Sequence, residues 1–226
     1  MPNNATAVSE DFIDHVPPLA QEASPPIDPD DLTHIIRPFL VRNRIPMRDA
    51  TAYCDRVYRD WRELRSVLPM GKSHILDIGS GYAGHDLYLT HYYKTAHFSL
   101  IDGTKTVPKA HSGFREDSMP YRNGNIGMRL LINQGFRARL YPVGEETSNL
   151  TLTWVDFVVS FCAYGHHFPI VTYLPLVQRS LVTGGHVLLD IRRDTNGREQ
   201  MEVAGFEVVH VVKEKPKFTR TLFIKK

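Results

Sequence analysis

The chain has 226 residues, of which 42% are hydrophobic and 23% are charged, a composition typical of one globular domain with a sizeable core. Its net charge of +2 is too small to favour binding to nucleic acid or an anionic membrane, and no apolar run is long enough to span a membrane. The two cysteines, Cys54 and Cys162, do not make a disulfide framework, so we expect a reducing, cytoplasmic setting.

The composition divides the chain into three parts. Residues 1–29 are rich in proline, alanine, serine and acidic residues, and they predict a flexible N-terminal segment because they can bury little apolar surface. Residues 30–69 predict a helical extension, and residues 70–226 predict the main domain.

Two helices are expected in the extension. Asp30 or Asp31 could cap a short helix that runs through Ile36 and that Pro38 ends or kinks. Apolar residues then recur at helical spacing over residues 48–68, which predicts an amphipathic helix. This second helix either packs on the sheet or forms part of a lid over a substrate.

A glycine-rich turn follows the first predicted strand, the short apolar run at residues 75–78. Its glycines have G-x-G-x-x-G spacing and are Gly79, Gly81 and Gly84. A helix is predicted next, over residues 87–93. A tight turn from strand to helix needs glycine because a Cβ would clash with the turn or with a ligand held against the backbone. The free N–H groups at the start of the helix can then face that ligand.

Two acidic residues make the glycine pattern more specific. Asp77 lies inside the first strand, where NAD-binding strands usually carry only apolar residues, and Asp102 ends the next apolar run at residues 98–101. The segments Leu-Asp-Ile-Gly-Ser-Gly and Leu-Ile-Asp-Gly resemble the S-adenosylmethionine site of class I methyltransferases. In that family the first acid lies near the amino-acid end of the cofactor and the second binds its ribose. The resemblance implies that S-adenosylmethionine binds at Asp77, Gly79, Ser80, Gly81, Asp102, Gly103 and Ser160.

The remaining predicted elements alternate between strands and helices. Residues 103–123 predict a long loop that covers the cofactor. Helices are predicted at residues 126–134 and 171–182, the second ended by Gly184 and Gly185, and strands at 139–143, 155–160, 186–191, 206–212 and 218–224. The alternation predicts an α/β/α three-layer sandwich, and the last two strands predict an antiparallel hairpin. This order resembles the Rossmann-like class I methyltransferases, which have a mostly parallel seven-stranded sheet with a C-terminal antiparallel hairpin.

Aromatic and histidine residues follow the fourth strand, at the sheet edge where ligands bind in doubly wound folds. The segment 161–169 contains the adjacent His166 and His167. Methyl transfer to a hydroxyl needs a group that accepts its proton, and histidine suits that role near neutral pH. Neighbouring residues on an irregular segment tend to point differently, so we expect one histidine in the site; structural roles for both remain the alternative.

A narrower resemblance rests on residues 156–160, 164–169 and 188–192, together with Tyr173. These segments resemble bacterial sugar O-methyltransferases over about residues 70–193. The resemblance implies that a hydroxyl of a sugar or a similar small metabolite accepts the methyl group, with His167 as the general base. The residues expected to contact the acceptor are Tyr164, His166 and Arg192, the last through an anionic group such as a phosphate. This sequence has Cys162 and Ala163 where the resemblance implies a bulkier pair of residues, so the identity of the methyl acceptor stays open.

Two other functions remain open. A Rossmann-type NAD-dependent oxidoreductase is disfavoured by Asp77 and by the terminal hairpin. A catalytically silent methyltransferase-fold partner protein is disfavoured by the glycine motif and Asp102. A nucleic-acid methyltransferase is disfavoured because the segment after Ser160 lacks the Asn-Pro-Pro-aromatic signature.

No metal site is predicted, because adjacent histidines seldom coordinate one ion and no third ligand follows at a recognisable spacing. Asp156 begins the fourth strand and should lie at its far end, whereas Asp190 ends the fifth and is better placed for Mg²⁺. The expected partner is therefore a small-molecule acceptor, with neither nucleic acid nor membrane, and a homodimer is compatible with the sequence.

Overall fold

The computed structural model of the chain describes residues 30–94, 96–104, 123–144, 147 and 149–226. The predicted flexible segment and most of the predicted loop over the cofactor lie outside these residues. The helices include α1 (Thr33–Arg42), α2 (Met47–Leu64), α3 (Gly84–Tyr92), α4 (Gly124–Asn133), α5 (Ile170–Ser180) and α6 (Gly197–Val203). The strands include β1 (His74–Ile78), β2 (His97–Asp102), β3 (Arg137–Pro142), β4 (Val155–Ser160), β5 (Leu181–Arg192), β6 (Phe206–Glu214) and β7 (Phe218–Lys225).

These seven strands form one sheet in the order β3-β2-β1-β4-β5-β7-β6. The first five in that order are parallel, whereas β7 is antiparallel to both β5 and β6. The prediction of a mostly parallel sheet with a C-terminal antiparallel hairpin is therefore confirmed. The chain moves outward from β1 through β2 and β3 and returns to β4 on the other side of β1. This reversal places a crevice at the carboxyl ends of β1 and β4, the usual ligand position in such sheets.

Helices cover both faces of the sheet because successive strand residues point to opposite sides. Ile75 of β1 packs in a core with α1 to α4, whereas its neighbour Leu76 packs in a second core with α5 and α6. The predicted apolar face of α2 is buried in the first core through Tyr53, Val57, Trp61 and Leu64. Asp77, the residue after Leu76, therefore points to the same side as α2 and α3.

The boundary between α5 and β5 differs from the prediction. The helix ends at Ser180, and β5 begins at Leu181 instead of 186. Leu181 pairs with Val155 and His186 pairs with Phe157, so β5 has extra residues relative to β4, as in a β-bulge. Gly184 lies in this irregular stretch with φ of +76°, a backbone conformation that glycine adopts readily. The glycine pair therefore forms a bulge inside a strand and does not end the helix.

Two further differences concern helices. Pro38 neither ends α1 nor prevents its last turn, since α1 continues to Arg42. Asp31 accepts a hydrogen bond from the Thr33 N–H at 2.8 Å, which satisfies one free donor of the first turn. The short helix α6 was not predicted.

None of the helices in the described ranges is both long and apolar enough to cross a membrane.

Candidate active site

A cavity lies at the carboxyl ends of β1, β2 and β4, where the strand order reverses. The strand ends contribute Asp77, Gly79, Ser80, Gly81, Asp102, Phe161, Cys162 and Ala163 to its lining, and α2 contributes Tyr53, Arg56 and Asp60. The helix predicted to pack on the sheet or to form a lid thus also forms one wall of the cavity.

The glycine turn holds its shape through close contacts that leave no room for a side chain. Gly79 has φ of +87°, and its N–H donates a hydrogen bond to the Ile101 carbonyl at 2.7 Å. A Cβ added at Gly79 would lie 2.1 Å from the Cβ of Ala163. Glycine is therefore needed here both for the left-handed backbone and for the approach of the segment after β4.

Neighbouring helices fix the turn from two sides. The Gly84 N–H donates to the Tyr53 hydroxyl at 2.8 Å, which ties the start of α3 to α2. Burial raises the pKa of Tyr53, so this phenol stays protonated at neutral pH. On α4, a Cβ at Gly127 would lie 2.8 Å from the Gly81 carbonyl oxygen. The backbone groups that face the cavity are therefore held in place before any ligand binds.

Buried acidic groups lie beside this turn, with no ion pair to a cation among the described residues. Asp77 is 2% exposed and the neighbouring Asp86 of α3 is 0% exposed. Asp77 Oδ1 and the Ser80 hydroxyl have no hydrogen-bond partner among the described residues. Burial raises the pKa of Asp77, and the nearby Asp86 and Asp102 raise it further. Burial raises the pKa of Asp86 as well. Because desolvated carboxylates repel each other, the site favours a cationic ligand over a phosphate group.

Asp102 is fixed at the end of β2 by backbone donors. Its carboxylate accepts hydrogen bonds from the N–H of Gly81 and, at 2.5 Å, from the N–H of Gly103. Asp102 lines the cavity, while the Gly103 N–H is occupied by this contact. The structure therefore brings together five predicted cofactor residues, namely Asp77, Gly79, Ser80, Gly81 and Asp102.

A chain of charged side chains lies at the Asp60 end of the cavity, and no local sequence pattern indicated it. Arg220 of β7 is 1% exposed and binds Asp190 of β5 through Nε at 2.6 Å and Nη2 at 2.9 Å. The same guanidinium reaches Asp60 of α2, with Nη1 at 3.2 Å from Oδ1. Burial alone would raise the pKa of Asp60, but His85 and Arg220 lower it well below its ordinary value. Asp60 is therefore a carboxylate at neutral pH.

His85 of α3 adds an imidazole to this end of the cavity. Its Nε2 lies 3.3 Å from Asp60 Oδ2, and its ring stacks on Phe161 with centroids 4.0 Å apart. Burial lowers the pKa of His85, although the Asp60 carboxylate opposes this shift. The ring is therefore neutral near pH 7 and can accept a proton. His85 was not predicted as a site residue, because nothing in its local sequence distinguishes it from other helical histidines.

Two predicted site residues, Ser160 and Tyr164, make contacts inside the protein. The Ser160 hydroxyl donates to the Ile78 carbonyl at 2.5 Å and accepts from the Tyr164 N–H at 2.8 Å, which joins β1 to the turn after β4. Tyr164 is fully buried in the core with α5 and α6, where its hydroxyl lies 3.7 Å from the Met201 sulfur. Its side chain lies on the other face of the sheet from α2 and α3, and Tyr164 is not among the described residues that line the cavity, so its contact with the acceptor stays a prediction.

The two adjacent histidines occupy different surroundings, and the expectation that one of them lies in the site stays a prediction. The His166 ring is half-buried against Phe218, and burial together with His167 lowers its pKa to about 4. The His167 ring is 9% exposed and packs edge-on against His166 at 4.8 Å. Among the described residues that line the cavity, the segment after β4 contributes Phe161, Cys162, Ala163 and Phe168 but neither histidine.

The other predicted charged residues lie away from the cavity or are already paired. Arg192 donates to the Asp194 carboxylate, with Nε to Oδ1 at 2.8 Å, which raises the pKa of the guanidinium. Asp156 accepts from the Ser73 N–H at the far end of the sheet, as expected. No cluster of three metal-binding side chains occurs within the described ranges, and Asp190 is held by Arg220.

Comparison with solved structures gives the fold of this chain. The pyocyanin biosynthetic protein PhzM shares 12% identity at a TM-score of 0.52, and the match covers 74% of this chain and 54% of that protein. An O-methyltransferase family 2 protein from Planctomyces limnophilus, solved in complex with apigenin, shares 15% identity at a TM-score of 0.53, and the match covers 78% of this chain and 60% of that protein. The dimethyltransferase RosA from Streptomyces davawensis shares 13% identity at a TM-score of 0.55, and the match covers 88% of this chain and 71% of that protein.

The chain thus spans 54% to 60% of the length of the first two proteins. No protein-family model matches the sequence, and a search of curated proteins finds no match. At identities this low the likeness concerns the fold: the chain has the Rossmann-like fold of the class I methyltransferases.

Proposed function

We propose that this protein is an S-adenosylmethionine-dependent methyltransferase that methylates a hydroxyl of a sugar or a similar small metabolite. The observation that carries the proposal is the buried Asp77 carboxyl, which lies in the cavity wall beside Asp86 and has an oxygen without a partner among the described residues. S-adenosylmethionine is cationic and can satisfy this carboxylate. The pyrophosphate of NAD is anionic and would be repelled.

The residues present fit the cofactor. Asp77 would hold the ammonium of its methionine part, and the backbone at Gly79 and Gly81 would face its carboxylate. Asp102, fixed by two backbone donors, would accept hydrogen bonds from the ribose hydroxyls. The Ser80 hydroxyl in the same wall, which has no partner among the described residues, offers one more polar contact.

When bound, S-adenosylmethionine supplies a methyl group on a sulfonium sulfur, and that sulfur leaves as a neutral thioether. The protein therefore has two tasks: to hold the acceptor oxygen in line with the methyl group and to take its proton. The side chains of α2 and Phe161 support the first task, because they line the same cavity as the glycine turn.

For the second task we propose His85. It lines the cavity, its pKa lies below the ordinary value because it is buried, and Asp60 can stabilise the imidazolium formed when the acceptor proton arrives. His167, the base predicted from the sequence, stays a prediction: it lies in the turn after β4 and packs against His166. The acceptor proton would thus pass to His85, with its positive charge facing the Asp60 carboxylate.

Calorimetric titration tests the cofactor. We expect binding of S-adenosylmethionine and of S-adenosylhomocysteine, no binding of NAD, and a loss of affinity in Asp77→Asn of roughly 1–3 kcal/mol, the scale of a lost charge-assisted hydrogen bond. Ser73→Ala is a matched control, because Ser73 lies at the opposite end of β1. Binding of NAD alone would contradict the proposal.

Transfer of labelled methyl to a panel of hydroxylated sugars and glycosides tests the base. His85→Gln should retain cofactor affinity and lose about 10²- to 10⁴-fold in turnover, the contribution of a positioned base. His167→Gln is the matched comparison. A large loss in His167→Gln alone would move the role to that residue, and near-normal turnover in both variants would exclude a histidine base.

A further inference from the structure

We propose that the methyl acceptor carries a phosphate or pyrophosphate group, and that a basic groove beside the cavity binds this group. The inference rests on the proposed function and specifies its substrate class. The groove lies between α2 and the β6–β7 hairpin and has a volume of about 860 Å³, which is large enough for a phosphorylated sugar.

The groove is continuous with the candidate active site. Arg56, Asp60 and Cys162 line both the cavity and the groove. A ligand held in the groove can therefore extend past Asp60 toward His85 and the glycine turn. This continuity makes the groove part of an acceptor site and not a separate surface.

Positive charge dominates the groove. Its cationic lining comes from two elements, with Arg56, Arg59 and Arg62 on α2 and Lys213, Lys215 and Lys217 on the hairpin. Arg220 closes the inner end, and the acidic lining residues are Asp60 and Glu63. The whole chain has a net charge of only +2, so this concentration of cations is local.

Some cations of the groove, Lys213 and Arg220, are paired with acidic residues. Lys213 binds Glu63 and lies 3.6 Å from Asp60, while Arg220 binds Asp190 and Asp60. Arg62, Lys215 and Lys217 have no ion pair within the described ranges, and Arg59 donates only to the Asp55 backbone carbonyl, at 3.2 Å. These cations repel one another because they lie in one groove, and a bound anion with several charges would relieve that repulsion.

A phosphate ester or pyrophosphate suits this arrangement better than a carboxylate. A single carboxylate can be held by one arginine fork, whereas phosphate oxygens can be shared among several guanidinium and ammonium groups. Arg192, which the sequence suggested for an anionic group, is paired with Asp194 and does not line the groove. The cations of α2 and the hairpin therefore take over that role.

Titration at fixed ionic strength with inorganic pyrophosphate, glucose 1-phosphate and glucose tests the groove. We expect both phosphates to bind and glucose not to bind. Arg62→Glu/Lys217→Glu should raise the dissociation constants for the phosphates roughly tenfold or more, since two exposed attractions become repulsions. The matched control Arg42→Glu/Arg137→Glu changes the net charge equally at exposed sites outside the groove and should leave phosphate binding intact.

Cofactor titration of the same variants separates this proposal from the proposed function. S-adenosylmethionine binding without groove-dependent phosphate binding would overturn the groove proposal alone. Phosphate binding without any S-adenosylmethionine binding would overturn the methyltransferase proposal. If phosphate binding were weakened equally in the groove variant and the control variant, net charge would explain the effect, and the groove proposal would be overturned. Tight binding of a single-stranded RNA oligonucleotide that excludes both phosphates would reassign the groove to nucleic acid.

Discussion

Replacing Gly79 with alanine tests whether the glycine turn has the geometry described above. A residue other than glycine at φ of +87° costs about 1–2 kcal/mol from the left-handed backbone. The new Cβ would also lie 2.1 Å from the Ala163 Cβ, so backbone must move, and such overpacking adds about 1–3 kcal/mol. The sum, about 2–5 kcal/mol, corresponds to a fall in Tm of roughly 4–20 °C for a domain of this size.

Gly135→Ala is the matched control, because Gly135 has φ of +83° but no described atom within 4 Å of an added Cβ. It should lose only the backbone contribution, about 1–2 kcal/mol. Adding Ala163→Gly to Gly79→Ala removes the clashing Cβ and should recover part of the loss, while adding it to Gly135→Ala should recover none. Urea unfolding monitored by circular dichroism measures all five proteins, including the wild type. Equal losses of stability in Gly79→Ala and Gly135→Ala would refute the proposed contact between residues 79 and 163. The same would follow if Gly79→Ala/Ala163→Gly recovered none of the stability lost in Gly79→Ala.

Three further predictions concern buried charge. Burial raises the pKa of Asp86, so the stability that its protonated form contributes is present at acidic pH and is lost as pH rises through the raised pKa. Asp86→Asn should therefore gain stability relative to wild type between pH 5 and pH 8. Urea unfolding at both pH values measures this gain, and an equal difference between the two proteins at both pH values would contradict the prediction. Because Asp77 must be ionised to hold a cation, S-adenosylmethionine should bind more weakly as pH falls and release protons on binding, which titration calorimetry in two buffers of different ionisation enthalpy detects. Arg220→Met should cost about 3–5 kcal/mol because it leaves Asp190 buried without its cation, and adding Asp190→Asn should restore part of this loss; additive losses would show that the pair is not coupled.

The strand-turn-helix unit around Gly79 could be predicted because its signals are local. An apolar run, glycines at fixed spacing and an acidic residue at each strand end describe a structure that forms within about thirty residues. The sheet with its antiparallel hairpin followed from the alternation of strands and helices together with the family resemblance. Asp77 and Asp102 consequently lie where the sequence suggested.

The charged end of the site could not be predicted because its contacts join distant parts of the chain. Arg220 meets Asp60 across 160 residues of sequence, and neither residue stands out within its own element. His85 gains its setting only when α2 packs against α3. The irregular turn after β4 has no periodicity, so the sequence could not show that Tyr164 enters the core.

The position of β7 between β5 and β6 has a consequence for synthesis of the chain. Arg220 leaves the ribosome 30 residues after Asp190, a delay of roughly 2–6 s at typical elongation rates. During this interval β6 has no strand to pair with, and the outer edge of β5 is open to other chains. Docking of β7 then pairs both strands and neutralises Asp190 in one step. The nascent protein therefore completes this sheet and the charged end of its candidate site together.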